Sequence, residues 1–178
     1  ITELTDMADY VYDAESLRTL AGKKYHKKKN HVNAFLKEYE GRYEYRALTP
    51  ADKGTIWQFL NRWENGKSDD VGQHLEGEIV GIHELLNNLD KINAKIAGVF
   101  IDGQLEAFTV GSYNPTDRMA VIHIEKANAD IRGLYTFINQ QFLVHEFADA
   151  VLVNREDDVG MEALRKAKQS YHPIMMVR

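Results

Sequence analysis

The sequence predicts an α/β domain with an antiparallel meander in its middle, because the period of its apolar residues changes twice. Residues 96–101 and 105–113 alternate on either side of Asp102-Gly103, a dipeptide that favours the tight turn of a β-hairpin. Residues 119–125 add a third strand, and helical spacing returns over residues 131–147. After residue 42 the predicted order is strand, helix, helix, three strands, helix, strand, helix, strand.

The elements before the meander follow from caps and spacing. Asp13 precedes a helical turn that ends at Gly22, and a helix is predicted over residues 23–39. Tyr43–Leu48 alternates aromatic and charged residues as a strand does, and Thr49-Pro50 is typical of a helix start. A second helix there carries a row of apolar residues, namely Leu75, Ile79, Ile82, Leu85, Leu86 and Leu89.

Three short elements close the chain: a buried strand at residues 150–153, a helix at residues 160–169 and a strand at residues 174–177. We find no internal repeat and no low-complexity linker in the sequence. Together with the elements above, these predict a sheet flanked by helices.

Composition excludes several classes of protein. The chain has 178 residues, of which 44% are apolar and none is cysteine. An ordinary core is therefore expected, without disulfides, thiolate zinc sites or a cysteine nucleophile. The seven histidines are scattered without metal-ligand spacing, so no metal site is expected. No apolar stretch approaches the roughly 18 residues that span a bilayer, and we expect a cytoplasmic protein without a transmembrane segment.

The net charge of −5 hides an asymmetry. Residues 23–33 contain five lysines and no acid, which leaves 17 basic against 27 acidic residues, or −10, for the rest of the chain. Such a run is often a solvated helix face, but lysines one turn apart repel each other and a phosphate-rich partner would remove that repulsion. A solvated helix face and a phosphate-binding surface are therefore equally consistent with this run of lysines.

Two further segments have the composition of a ligand site. The predicted helix near Ile131 would aim its first amides outward, with Gly133 leaving room for a ligand; the alternative is a helix capped by Asp130 with an incidental glycine. Residues 154–173 follow a buried strand, where α/β domains hold ligands, and are rich in acids and bases. The alternative for this stretch is a salt-bridged surface helix.

Residues 20–35, 121–128 and 154–173 together resemble the DUF2156 family, which is related to the C-terminal catalytic domain of phosphatidylglycerol lysyltransferases. The resemblance covers residues 10–178. It implies the fold of GCN5-related N-acyltransferases (GNAT), a mostly antiparallel mixed sheet with the order βααβββαβαβ after an N-terminal helix. We expect residues 1–42 to be a connecting segment and residues 43–178 the acyltransferase domain, the second half of a longer tandem protein.

The resemblance also bears on the acyl donor. CoA-dependent members of the fold hold pyrophosphate with a Q/R-x-x-G-x-G/A turn, but when this pattern is aligned on Gly133 the chain has Asp130 and Tyr135 at its outer positions. This departure favours aminoacyl-tRNA as donor over acetyl-CoA. The RNA phosphates would then be bound by the lysine helix, through Lys23, Lys24, Lys27 and Lys28.

The matching motifs supply the candidate residues of a transferase. The acyl ester would be attacked by a small-molecule, peptide or lipid acceptor. Candidate catalytic residues are Glu125 and Glu156 as base or ammonium ligand, Lys168 as a stabiliser of negative charge and Tyr171 as proton donor. Candidate substrate-binding residues are His123, Asn128, Asn154, Arg155 and Asp157, although a packed core histidine is the favoured interpretation of His123. A CoA-dependent N-acetyltransferase and a non-catalytic RNA- or partner-binding module remain as alternatives.

Overall fold

A computed structural model of the chain describes residues 9–65, 84, 87–88, 93–155, 171 and 173–177. These residues form a seven-stranded sheet in the order β2-β3-β4-β5-β6-β1-β7. The strands are β1 (Asp9–Asp13), β2 (Tyr43–Leu48), β3 (Lys95–Ile101), β4 (Gln104–Asn114), β5 (Met119–Ala127), β6 (Leu152–Asn154) and β7 (Met175–Val177). The helices are α1 (Ala14–Thr19), α2 (His26–Glu38), α3 (Lys53–Asn65) and α4 (Leu134–Glu146).

Strands β3 to β5 form the predicted antiparallel meander, and β2 pairs antiparallel with β3 at its edge. Asp102 and Gly103 both have positive φ angles, 52° and 84°, as a type I′ hairpin turn requires. At the start of α3, Thr49 and Asp52 form a capping box around Pro50. The local signals in this part of the sequence thus predicted the observed elements, and the mixed, mostly antiparallel GNAT-like sheet is confirmed.

The neighbouring strands β5 and β6 are parallel, whereas every other strand pair in the described sheet is antiparallel. Their pairing covers only Met119↔Leu152 to Val121↔Asn154. Beyond it, β5 continues to Ala127 while β6 ends at Asn154. Residues 122–127 of β5 therefore extend past the end of β6. We call the place where this parallel pairing ends the β5/β6 opening, and the candidate site lies there.

Strand β1 was not predicted from the sequence. It lies in the segment expected to connect to the domain, yet it is paired on both edges, with β6 and with β7. Tyr10, Val11 and Tyr12 are each 0% exposed. A short strand buried on both faces has no alternation of apolar and polar residues, so its sequence lacks the signal that identified the other strands.

Helices cover both faces of the sheet. On one face α1, α2 and α4 bury a large core that includes Leu17, Phe35 and Phe142. On the other face α3 buries a smaller cluster that includes Phe59 and Phe108, whose rings meet edge to face. Asp13 caps α1 as predicted by accepting a hydrogen bond from the Ser16 amide.

Two predicted elements lie outside the described residues: most of the helix that carries Leu75 to Leu89, and the helix at residues 160–169. In the described part of the chain, no helix has both the length and the apolar character needed to cross a membrane.

Candidate active site

The opening between β5 and β6 contains a buried ion pair. Arg155, the residue after β6, donates from Nη2 to Oε1 of Glu125 on β5 at 2.7 Å. Their side chains are 11% and 8% exposed. Asn139 of α4 donates from Nδ2 to the other oxygen of Glu125, Oε2, at 2.9 Å. Both carboxylate oxygens are therefore engaged, and the Arg155 guanidinium is held in a fixed orientation.

Two tyrosine rings enclose the guanidinium. Arg155 Cζ lies 4.6 Å from the ring centroid of Tyr171 and 5.7 Å from that of Tyr12. The Tyr171 hydroxyl lies 3.0 Å from Thr136 Oγ1, and the Tyr25 hydroxyl donates to the Tyr171 carbonyl at 2.7 Å. Tyr171 is thus fixed at both its backbone and its hydroxyl.

Burial determines the protonation of this cluster. It raises the pKa of Tyr171 above its usual value, and Glu125 adds to the shift against the opposing effect of Arg155. The pKa of Tyr12 is raised for the same main reason. Burial alone would lower the pKa of Arg155, but Glu125 and the tyrosines outweigh it and raise that pKa. Near neutral pH both phenols keep their protons and the guanidinium keeps its charge.

Lys28 belongs to this cluster, although the sequence had assigned it to the exposed lysines. Its Nζ lies 4.2 Å from the centroid of the Tyr171 ring, and its side chain is half-buried. Burial and the nearby Arg155 both lower the pKa of Lys28. Lys23, Lys24 and Lys27 are exposed, and their binding of RNA phosphates stays a prediction.

The basic surface also extends beyond the lysine run. His31 has a lowered pKa, because of burial first and then of Arg132, Lys28 and Lys27. Arg132 comes from the loop before α4, so cations from two elements meet there. The sequence suggested the lysine part of this surface but not the contribution of Arg132.

Gly133 has a structural function that contradicts both interpretations of the sequence. It is the N-cap of α4 with φ +83°, and Asp130 does not cap the helix. A Cβ at Gly133 would overlap the His31 carbonyl oxygen and lie 3.1 Å from Phe35 Cβ. The space that we expected to admit a ligand is occupied by α2.

The predicted substrate-binding residues have different environments. Asn128 accepts the Asp130 amide at 3.0 Å and so forms the turn before α4. Asn154 ends β6 at the opening, beside Arg155. His123 is not packed in the core: it is half-buried, and its Nε2 lies 2.8 Å from Ser112 Oγ. Glu156, Asp157 and Lys168 lie outside the described residues.

Four members of the cluster were missed by sequence reasoning, namely Tyr12, Tyr25, Thr136 and Asn139. Tyr12, Thr136 and Asn139 lie outside the three motifs, and Tyr25 lies within residues 20–35 but was not singled out there. Each reaches the site through long-range packing. Within the described ranges, no three histidine, aspartate or glutamate side chains are grouped to hold a metal ion.

The comparison with known families decides the identity of the fold. The sequence profile of the C-terminal region of phosphatidylglycerol lysyltransferase matches residues 1–178. The chain belongs to this family. The resemblance seen in the sequence motifs is therefore confirmed over the whole chain.

Solved structures of other proteins have a similar fold. A conserved protein of unknown function from Bacteroides thetaiotaomicron is 32% identical, with a TM-score of 0.89 over 97% of this chain and 57% of that one. The C-terminal domain of a lysylphosphatidylglycerol synthetase from Agrobacterium fabrum has a TM-score of 0.61 at 16% identity, over 96% of this chain and 57% of that one. That second likeness shows the fold alone.

An uncharacterised protein of Mycoplasmoides gallisepticum is 26% identical over 96% of this chain and 54% of its own length. The chain thus spans little more than half the length of the relatives it matches.

Proposed function

We propose that this lysyltransferase-family chain is an acyltransferase that moves an aminoacyl group from aminoacyl-tRNA to an amine or hydroxyl acceptor. The observation that carries the proposal is the Glu125–Arg155 pair buried at the β5/β6 opening, with Tyr171 fixed against it. A buried cation beside a neutral phenol suits a reaction in which negative charge develops on a carbonyl oxygen and a hydroxyl leaves.

The start of α4 supports the choice of donor. Pyrophosphate binding at a helix N-terminus needs free amides and open space in front of them. Here the α2 backbone at His31 lies directly against Gly133, the glycine on which the CoA pattern aligns, and fills the space beside it. Asp130 adds an acidic residue to the same turn. Both features disfavour CoA, whereas the exposed side chains of Lys23, Lys24 and Lys27 suit an RNA.

The proposed reaction is a direct transfer. The acceptor nitrogen or oxygen attacks the ester carbonyl carbon, and the new bond forms as the carbonyl oxygen gains negative charge. The bond from that carbon to the ribose oxygen then breaks. The ribose oxygen gains a proton, which the Tyr171 hydroxyl can supply, and the acceptor loses one, which restores the tyrosine. Arg155 lies beside Tyr171 to stabilise the negative charge.

Glu125 fits a positioning function in this scheme better than that of a base. Its two oxygens already accept from Arg155 and Asn139. A carboxylate so engaged holds the guanidinium in place and supplies its countercharge. The candidate base Glu156 lies outside the described residues and stays a prediction.

The direct test compares two donors. The protein is incubated with tRNA charged with ¹⁴C-labelled amino acids and a panel of amine, hydroxyl and lipid acceptors, and labelled product is separated from RNA. In parallel, acetyl-CoA is offered to the same acceptors and thiol release is followed. We expect labelled product from aminoacyl-tRNA only. Thiol release would favour the CoA-dependent alternative, and tRNA binding without product would favour the non-catalytic module.

Two matched variants connect the activity to the site. Tyr171→Phe removes the proposed proton donor, while Tyr45→Phe removes another buried phenol hydroxyl, on the edge strand β2. We expect Tyr171→Phe to lower the transfer rate by about 10²-fold, the lower end of the range for loss of a general acid. Tyr45→Phe should leave the transfer rate unchanged. Equal rates in both variants would remove Tyr171 from the mechanism.

A further inference from the structure

Lys28 and Arg155 approach the same tyrosine from different parts of the chain. Lys28 is on α2 and Arg155 follows β6, and their charged groups lie 4.2 Å and 4.6 Å from the Tyr171 ring centroid. Both Tyr171 and the Arg155 side chain are almost completely buried. Two cations are therefore in contact with one ring in a poorly hydrated place, close enough for Arg155 to lower the pKa of Lys28.

The acids of the cluster do not balance this charge. Glu125 pairs with Arg155, and the two phenols are neutral. Lys28 makes no ion pair with a carboxylate among the residues that the structure describes. The cluster of Lys28, Arg155 and Glu125 thus carries one net positive charge. Like charges brought close together in a poorly hydrated place repel each other, and such arrangements are concentrated at functional sites.

We infer that Lys28 and Arg155 form an anion-binding site at the Tyr171 ring, which receives an anionic oxygen of the substrate. This inference rests on the proposed function for the identity of that oxygen, which is either the oxyanion formed from the ester carbonyl or a phosphate of the RNA. In both cases Lys28 acts inside the site, apart from the exposed Lys23, Lys24 and Lys27 that we propose as ligands of the RNA backbone.

The surroundings of Lys28 explain why its neighbours cannot replace it. Lys27 and Lys29 are exposed on the same helix, whereas Lys28 is half-buried and turned to Tyr171. Lys29 is therefore a matched control for Lys28: it has the same charge and lies one residue away on the same helix, but its side chain is exposed.

The first experiment does not depend on transfer. Lysines are methylated with ¹³C-formaldehyde and titrated by NMR with and without inorganic phosphate, and Lys28→Arg assigns the Lys28 resonance. We expect Lys28 to titrate below the usual range of a lysine, and phosphate to raise the pKa of Lys28 selectively. A phosphate effect that is absent, or equal at Lys28 and Lys29, would overturn the site.

The second experiment identifies the oxygen. Lys28→Met and Lys29→Met are compared for single-turnover transfer from aminoacyl-tRNA and for affinity to uncharged tRNA. If Lys28 stabilises the oxyanion, its variant loses about 10²-fold in rate with unchanged affinity, as for loss of one oxyanion donor. If it binds a phosphate, the affinity falls. A Lys28→Met variant that matches Lys29→Met in both assays would overturn the inference. A wild-type protein without transfer would instead refute the proposed function and leave the phosphate result valid.

Discussion

Glu125 determines where the Arg155 guanidinium lies, since it holds one edge of that group while Asn139 holds the carboxylate. The sequence motifs of the family contained Glu125, Arg155 and Tyr171, but a single sequence does not say which acid pairs with which base. Asn139 and Thr136 had no signal at all, because an amide and a hydroxyl on a buried helix face look like any other polar residues in a helix. Which of these side chains meet is determined by contacts between residues that are distant in the sequence.

Glu125→Gln should destabilise the protein, because it leaves the Arg155 charge buried without its partner. Loss of one partner from a buried pair costs about 3–5 kcal/mol of unfolding free energy. Asp102→Asn is the control: Asp102 forms a bidentate pair with Arg42, but both side chains are exposed. Urea unfolding should show a large loss for Glu125→Gln and little change for Asp102→Asn. Similar values for the two variants would contradict the burial argument.

At the scale of elements, the junction of α2 and α4 is the feature that sequence patterns described least well. Caps, periodicity and the Asp-Gly turn located most helices and strands. They did not reveal β1, whose neighbours in the sheet come from residues 152–154 and 175–177. They also gave Gly133 a ligand-binding interpretation, because a glycine before a helix looks the same in sequence whether a ligand or another helix fills the space beside it.

Gly133→Ala and Gly103→Ala separate backbone strain from steric overlap. The two glycines have φ angles of 83° and 84°, so an alanine in either position has a similar left-handed strain of about 1–2 kcal/mol. A Cβ at Gly103 meets nothing within 4 Å, whereas at Gly133 it overlaps the His31 carbonyl. Gly133→Ala should lose clearly more unfolding free energy than Gly103→Ala. Equal losses in urea titrations would mean that α2 does not pack tightly against Gly133.

At the scale of the whole molecule, charge is divided between an acidic body and a basic segment, residues 23–33, which includes the start of α2. The sequence revealed this asymmetry directly, since it needs only the order of residues. It did not reveal that the lysines have different environments in the folded protein. Lys28 contacts the buried cluster, whereas Lys23, Lys24 and Lys27 are exposed. The direction of a side chain on a helix depends on what the helix packs against.

Replacing Lys23, Lys24 and Lys27 with glutamate should weaken tRNA binding and flatten its dependence on salt. Each RNA phosphate that a lysine no longer neutralises reduces the slope of log K against log salt by roughly 0.7–0.9. Lys37→Glu, an exposed lysine in the last turn of α2, is the control. Filter binding over a series of salt concentrations measures the slope. A wild-type slope near zero would rule out RNA phosphates as ligands of this surface.

The central claim is that the buried Arg155 cluster at the β5/β6 opening performs acyl transfer from aminoacyl-tRNA. The most direct measurement is the single-turnover rate of Arg155→Lys against Arg46→Lys, an exposed arginine whose guanidinium likewise lies over an aromatic ring, that of Phe100. Lysine keeps the charge but loses the planar fork that meets Glu125 and the tyrosines. We predict a fall of about 10²-fold or more for Arg155→Lys and an unchanged rate for Arg46→Lys; equal rates for the two variants would contradict the claim.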